Sequence, residues 1–283
     1  MVSSRIASNL PILHVARPDD GPTANPGPGF WARLGASLGA AAASAGAAVA
    51  TAYRSVDGDL RQELATLPLM GLSSIGRRHL PVRAKRCDGE RPVIFVHGMG
   101  GHPGNFRAMR AWFAANGRTR LYSVGLPSGE TTDEHANHLA RFIEAVLEVN
   151  DLPAGLVDLV AHSRGGIVAR LALEDVDVGC RVATLVTIGT PHQGTVAARF
   201  GRGPYLDELR PGSWLIERLS GQLPWMGPRL VCLWSESDPL VVPAEYARVP
   251  GASNVEIEGL GHCRLLLWPE GWRAAFAALR ETA

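Results

Sequence analysis

The sequence predicts an α/β protein built on a mostly parallel, doubly wound sheet with helices on both faces. After residue 90, apolar runs of strand length alternate with amphipathic stretches of helix length, the pattern of strands covered on both sides and joined by crossover helices. Four of those runs end in short stretches of Gly, Ser, Asp or His, and in open α/β sheets the ligand sits outside the carboxyl ends of the strands. At 283 residues the chain is long enough to bury a sizeable core.

The elements follow in order. Residues 1–30 include "PDDGPTANPGPG", where Pro and Gly interrupt any helix, and read as a leader. Residues 34–53 are twenty residues without a charge, long enough to span a bilayer. They are rich in Ala, Gly and Ser, which drive insertion weakly, so a small-residue helix or low-complexity leader is the favoured reading. No ordinary signal peptide is seen, and a cytoplasmic or membrane-associated location is expected. From Asp59 the pattern turns helical, with Leu60, Leu64 and Leu67 on one face before Pro68, which predicts a helix that docks on the rest of the chain. "RRHLPVRAKR", residues 77–86, places five Lys or Arg in ten positions. It reads as a solvated linker, with a peripheral contact of residues 34–86 to a lipid surface as the alternative.

The expected boundary therefore separates a leader, residues 1–87, from a catalytic domain, residues 88–283. The strands expected in that domain are Val93 to Val96, Leu121 to Val124, Leu156 to Ala161, Val182 to Ile188, Leu230 to Trp234 and Asn254 to Ile257. Between the second and third, Thr131 and Glu134 form a capping-box pair, and Leu139, Ile143, Val146 and Leu147 make one apolar face. Further helices are expected after Ser163 and from Pro269 onward. Residues 192–228 are long for a crossover and suggest an inserted cap or lid. Within it Leu215, Leu219 and Leu223 recur every fourth residue beside Trp214, Ile216 and Trp225, a helix that either moves over an acyl pocket or is fixed on the sheet.

Composition narrows the function. The formal net charge is +1 and no basic stripe is interleaved with aromatics, so no nucleic-acid partner is expected. Cys87, Cys180, Cys232 and Cys263 are scattered without metal-ligand spacing and read as free, buried or semi-buried thiols; no metal is expected.

The chemistry lies at the strand ends. "PVIFV" runs into His97, Gly98 and Met99, "GLVDLVA" into His162, Ser163, Arg164 and Gly165, "RLVCLW" into Ser235, Glu236, Ser237 and Asp238, and "NVEIEGLG" into His262. Ser163 lies between Ala161 and Gly165, the small neighbours that a serine on a sharp strand-to-helix turn needs. A serine hydroxyl is a weak nucleophile without a base. His262 supplies one, and Asp238 can hold its imidazole in the right tautomer. The backbone N–H groups of Met99 and Arg164 are the expected donors to a developing oxyanion, and His97 and His162 read as supports that hydrogen-bond the loops in place. Rival readings exist for each: Ser163 as a mere helix N-cap, His192 as the base, Glu236 as the acid.

These residues resemble the α/β-hydrolases, and within them the bacterial lipases and esterases. "VIFVHGMGG" looks like the oxyanion strand and loop. "LVAHSRGG" looks like the nucleophile elbow of lipases in which alanine replaces the first glycine of Gly-x-Ser-x-Gly. "TIGTPHQGT", residues 187–195, and "LRPGSWLIERL", residues 209–219, are similar to lipase segments further along. The resemblance spans residues 92 to about 270. It implies Ser163 as nucleophile, Asp238 and His262 as its partners, an ester or lipid substrate and no cofactor; some lipases carry a structural calcium, whose ligands cannot be assigned in this sequence. The expected activity is hydrolysis of carboxylic esters, as a lipase or esterase. The alternatives are a thioesterase or acyltransferase with the same machinery, or a catalytically idle scaffold.

Overall fold

The computed structural model describes residues 63, 66, 70, 90–220 and 227–280. Six parallel strands, β1 (Val93–Val96), β2 (Leu121–Val124), β3 (Val157–His162), β4 (Val182–Ile188), β5 (Arg229–Trp234) and β6 (Ser253–Glu256), form one sheet in the order β2-β1-β3-β4-β5-β6. The order reverses between β1 and β3, and a crevice opens at such a switch point beyond the strand ends. Ser163 follows β3 there, beside the loop that follows β1.

Strand residues alternate between two cores. Ile94, Val96, Leu159 and Ala161 face one side with α2 (Thr132–Val149) and α3 (Arg164–Ala172). Val93, Phe95, Val160 and Leu233 face the other with α1 (Arg107–Ala115), α7 (His262–Leu267) and α8 (Pro269–Arg280). Helix α2 starts at the expected capping box: the Thr131 side chain accepts from Glu134 N at 3.2 Å, and Glu134 Oε2 accepts from Thr131 N at 2.7 Å. Its expected apolar face, Leu139, Ile143, Val146 and Leu147, is buried throughout, each side chain contributing about 1.5–3 kcal/mol.

Strand ends differ from the expected ones by a residue at β3, β5 and β6. The last is an edge strand paired only to β5, and Ser253, Val255 and Glu256 are exposed. Its short apolar run fits an edge as well as a core, because periodicity alone does not distinguish them.

The stretch 192–220 holds a short 3-10 turn, α5 (Pro204–Glu208) and α6 (Trp214–Leu219). Helix α6 buries Leu215, Ile216 and Leu219 in the core of the α2–α3 face, while Trp214 is exposed. Arg218 pairs with Glu174 at 2.6 Å, and Arg170 donates to the Leu219 carbonyl. These contacts hold α6 against the α2–α3 face. Helix α4 (Val176–Gly179) leads into Cys180, which is exposed, whereas Cys232 and Cys263 are buried.

Of the expected leader, Glu63, Thr66 and Met70 are helical and buried; Met70 lies beyond Pro68, where the sequence predicts the helix to end. Leu60, Leu64 and Leu67, the uncharged residues 34–53, the basic run 77–86, Cys87 and Leu223 lie outside the described residues. Among the described residues no helix is long and apolar enough to cross a membrane.

Candidate active site

Ser163 sits at the junction of β3 and α3 with φ 56° and ψ −132°. A positive φ is uncommon for a residue with a Cβ, and such a conformation costs on the order of 1–3 kcal/mol unless its surroundings impose it. Here they do. Ser163 N donates to Ile188 O at 2.8 Å, and the Ser163 carbonyl accepts from Thr190 Oγ1 at 2.9 Å and Gly166 N at 3.0 Å. Although Ser163 occupies the N-cap position of α3, its side chain makes no capping hydrogen bond, so the simple helix-cap reading fails.

Glycines bring the neighbouring backbone in close. A Cβ on Gly165 would stand 2.5 Å from Val96 O and 2.7 Å from His97 O, so only glycine lets α3 begin against the end of β1. A Cβ on Gly98 would stand 2.8 Å from Ser163 Cβ and 3.4 Å from its Oγ. The loop carrying Met99 therefore lies directly against the serine, and it is closed by Gly101 N donating to Gly98 O at 3.1 Å. His97 holds the same loop. Its Nε2 accepts from Leu126 N at 3.1 Å, which puts the proton on Nδ1, and Nδ1 donates to Gly98 O at 3.0 Å. Burial lowers the His97 pKa to about 4, so this neutral tautomer persists at physiological pH.

Asp238 and His262 meet beside Gly189, the residue after the Ile188 carbonyl that accepts from Ser163 N. Asp238 Oδ1 accepts from Leu240 N at 2.9 Å and Val241 N at 3.1 Å, leaving Oδ2 for His262 Nδ1 at 2.7 Å. Both residues are buried, whereas Glu236 is exposed and its rival reading falls. Burial opposes a charge on the His262 ring. The charge and hydrogen bond of Asp238, with the charge of Glu63, outweigh it and raise the His262 pKa above 6.5. Gly189 packs on this pair, since a Cβ there would stand 3.1 Å from Asp238 Oδ2 and 3.2 Å from His262 Nδ1.

His162, the residue before Ser163, is bonded to His262. Its Nε2 donates to the His262 carbonyl at 3.1 Å, and the two ring centroids lie 4.8 Å apart. Burial first, and the neighbouring His262 second, lower its pKa to about 3. It stays neutral beside His262. His192, the rival base, has both ring nitrogens engaged elsewhere: Nδ1 accepts from Arg170 at 3.2 Å and Nε2 donates to Thr187 Oγ1 at 2.9 Å.

Several contributors carry no local sequence signal. Thr190, the fourth residue of the segment 187–195, anchors the serine carbonyl only because β4 ends beside β3. The Arg164 side chain is folded away from solvent, donating to His135 Nδ1 at 3.1 Å and to Thr132 Oγ1, with its guanidinium 3.7 Å from the Tyr205 ring centroid. Burial lowers its pKa to about 10, which leaves it charged at neutral pH and fixes the residue whose N–H opens α3. The first N–H groups of a helix have no intrahelical partner, and that of Arg164 lies next to the serine. Among the described residues, no group of three or more His, Cys, Asp or Glu could hold a metal ion.

Residues 92–226 match the family model described as palmitoyl protein thioesterase. A triacylglycerol lipase of Burkholderia plantarii is 30% identical over 149 residues, covering 48% of this chain and 40% of that protein. A triacylglycerol lipase of Pseudarthrobacter phenanthrenivorans is 30% identical over 118 residues, covering 38% of this chain and 35% of that protein. The matched stretches thus span well under half the length of these relatives. In structure, the chain is similar to the mature form of a Bacillus licheniformis lipase, with a TM-score of 0.60 at 17% identity over 68% of this chain and 93% of the other. Lipase B of Aspergillus fumigatus gives a TM-score of 0.56 at 18% identity, over 68% of this chain and 52% of the other.

Proposed function

We propose that this chain, which has the α/β-hydrolase fold, is a serine hydrolase of carboxylic esters, a lipase or esterase working through Ser163, His262 and Asp238. The observation that carries the reading is the buried 2.7 Å hydrogen bond between His262 and Asp238, beside a serine held at positive φ whose hydroxyl caps nothing. With the proton on Nδ1 held by Asp238, His262 Nε2 is left as the base.

Ser163 Oγ attacks the acyl carbonyl while His262 Nε2 takes its proton, and the carbonyl oxygen becomes an oxyanion facing the N–H groups of Met99 and Arg164. The tetrahedral species collapses, breaking the bond to the alcohol oxygen. The imidazolium of His262 returns its proton to that leaving oxygen, and the acyl group stays on Ser163. Water, deprotonated by the same imidazole, then attacks the acyl-enzyme and releases the acid. Removing one oxyanion donor from such a site costs about 10²–10³ in kcat.

A second reading has its own support: the match to palmitoyl protein thioesterases over residues 92–226 makes a long-chain thioester an alternative acyl donor for the same serine. The two triacylglycerol lipase relatives favour the oxygen ester. Rates on p-nitrophenyl esters from acetate to palmitate, on emulsified triglyceride and on a palmitoyl thioester decide between them. The expected result is turnover of oxygen esters, with triglyceride among them. Activity confined to the thioester would replace the ester reading, and activity confined to short soluble esters would remove the lipase. A peripheral contact of residues 34–86 with lipid belongs to the same proposal, supported by the basic run 77–86 and, earlier in the chain, the uncharged stretch 34–53.

A further inference from the structure

The base helix is held from a distance of two hundred residues in sequence. Helix α7 begins at His262, and its next backbone N–H, that of Cys263, donates to both oxygens of Glu63, at 3.0 Å to Oε1 and 2.8 Å to Oε2; Arg264 N lies 3.5 Å from Oε1. Glu63 is buried, at 3% exposure. It reaches that position because residue 261 is glycine: a Cβ there would run into Glu63 Oε1 and stand 2.9 Å from its Cγ and Cδ. α7 has no cap of its own, since Gly261 contributes no side-chain hydrogen bond. The carboxylate does for this turn what a local Ser or Asp does elsewhere.

The same short stretch of chain also touches the loop on the other side of the serine. Met70 O accepts from Asn105 Nδ2 at 3.1 Å, and Asn105 Oδ1 accepts from His102 N at 2.6 Å. A Cβ on Gly101 would stand 3.2 Å from Asn105 Oδ1, so this contact bears on the turn that carries Met99. Glu63 and Met70 thus span from the base helix to the oxyanion loop. Both lie before residue 92, where the family match begins.

We propose that Glu63 is a positioning residue for His262, its carboxylate fixing the first turn of α7 and so the direction in which the imidazole meets Ser163. The inference rests on reading His262 as the base. At this position the carboxylate acts on the imidazole both through the backbone of the turn it holds and through its charge. The titratable groups facing His262 are Asp238 from the turn after β5, His162 from the end of β3, Glu63, and Cys263 on its own helix. His162 stays neutral, and burial, reinforced by Glu63, pushes the Cys263 thiol well up. The charges acting to raise the ring's pKa are therefore those of Asp238 and Glu63.

The test is a titration of His262 by imidazole NMR in the full chain, with the signal assigned from a His262→Asn variant, in wild type and in Glu63→Gln. The glutamine keeps one acceptor oxygen at nearly the same volume and removes the charge. In wild type His262 should titrate above 6.5. In Glu63→Gln its pKa should fall, because one of the two carboxylate charges that raise it is gone. The acid limb of kcat/KM should move down with it, and kcat should drop about three- to tenfold at unchanged KM, the mark of lost orientation and not lost binding. An unshifted His262 titration in folded Glu63→Gln overturns the proposal. Should that variant not fold, Glu63→Asp, which withdraws the charge by one methylene, is read the same way, with a smaller drop expected and no drop overturning it. The titration reads the imidazole whether or not an ester is cleaved. Failure of the hydrolase reading shows separately, as a wild type that turns over no acyl substrate.

Discussion

Replacing Ser163 by alanine should lower kcat on p-nitrophenyl esters by about 10⁵-fold or more, with a residue of catalysis left from the oxyanion donors and binding alone. The fold should persist. The Ser163 side chain makes no capping hydrogen bond, so its loss strands no partner, and the strained backbone is held by the carbonyl of Ile188 and the hydroxyl of Thr190. A stability change within about 1 kcal/mol is expected, read as an unchanged circular dichroism spectrum and a melting temperature close to wild type. Full ester turnover in a folded Ser163→Ala would remove the nucleophile assignment.

The second large effect is expected at Asp238, and its size follows from how the carboxylate is divided. Oδ1 is committed to Leu240 N and Val241 N, and Oδ2 to His262 Nδ1. In Asp238→Asn the amide oxygen stays with the two backbone donors, because an NH₂ facing them would leave three donors and no acceptor. The NH₂ then turns to Nδ1, which must accept, and the imidazole proton moves to Nε2. The group that should take the Ser163 proton is now protonated, with no imidazolium charge stabilised behind it. A loss of about 10³–10⁴ in kcat is expected at neutral pH, with KM little changed. Steady-state kinetics on the folded variant checks it; a loss below about tenfold would mean that Asp238 does not set the tautomer.

Much of this site was legible in the chain because its parts are local. Strand ends are marked by apolar runs breaking into Gly, Ser and His, and the sheet topology then brings those ends together. Thus "LVAHSRGG", "VIFVHGMGG" and the Asp238 and His262 turns fall at the carboxyl ends of strands of one parallel sheet. The amphipathic face of α2 and its capping box were equally local and appear as expected. What the pattern does not carry is partnership at long range. The Leu215–Leu219 spacing gives an apolar face but not the neighbour it meets, and only the structure shows α6 packed into the α2–α3 core. For Arg164 the sequence suggests a role only for the backbone N–H; the burial of its side chain depends on Thr132, His135 and Tyr205 arriving from two other elements. Glu63 is the extreme case. One glutamate in a leader-like stretch has no motif, and its counterparts are the Cys263 N–H two hundred residues on and the bare α-carbon of Gly261 just before it.

The arrangement also separates two kinds of histidine by environment. His97 and His162 are buried among other cations and neutral dipoles and stay uncharged. His262, equally buried, has carboxylates of Asp238 and Glu63 beside it and is pushed the other way. Under the proposed mechanism His262 gains a proton during the reaction and needs that support, and its neighbours, held neutral, do not compete for it.

The most direct measurement is covalent labelling of the full chain with a fluorophosphonate, read by intact mass and peptide mapping. Phosphonylation at one site, on the peptide carrying Ser163, is expected in wild type, with none in Ser163→Ala. No adduct under conditions that label a control esterase, or an adduct that survives in Ser163→Ala, would contradict the account.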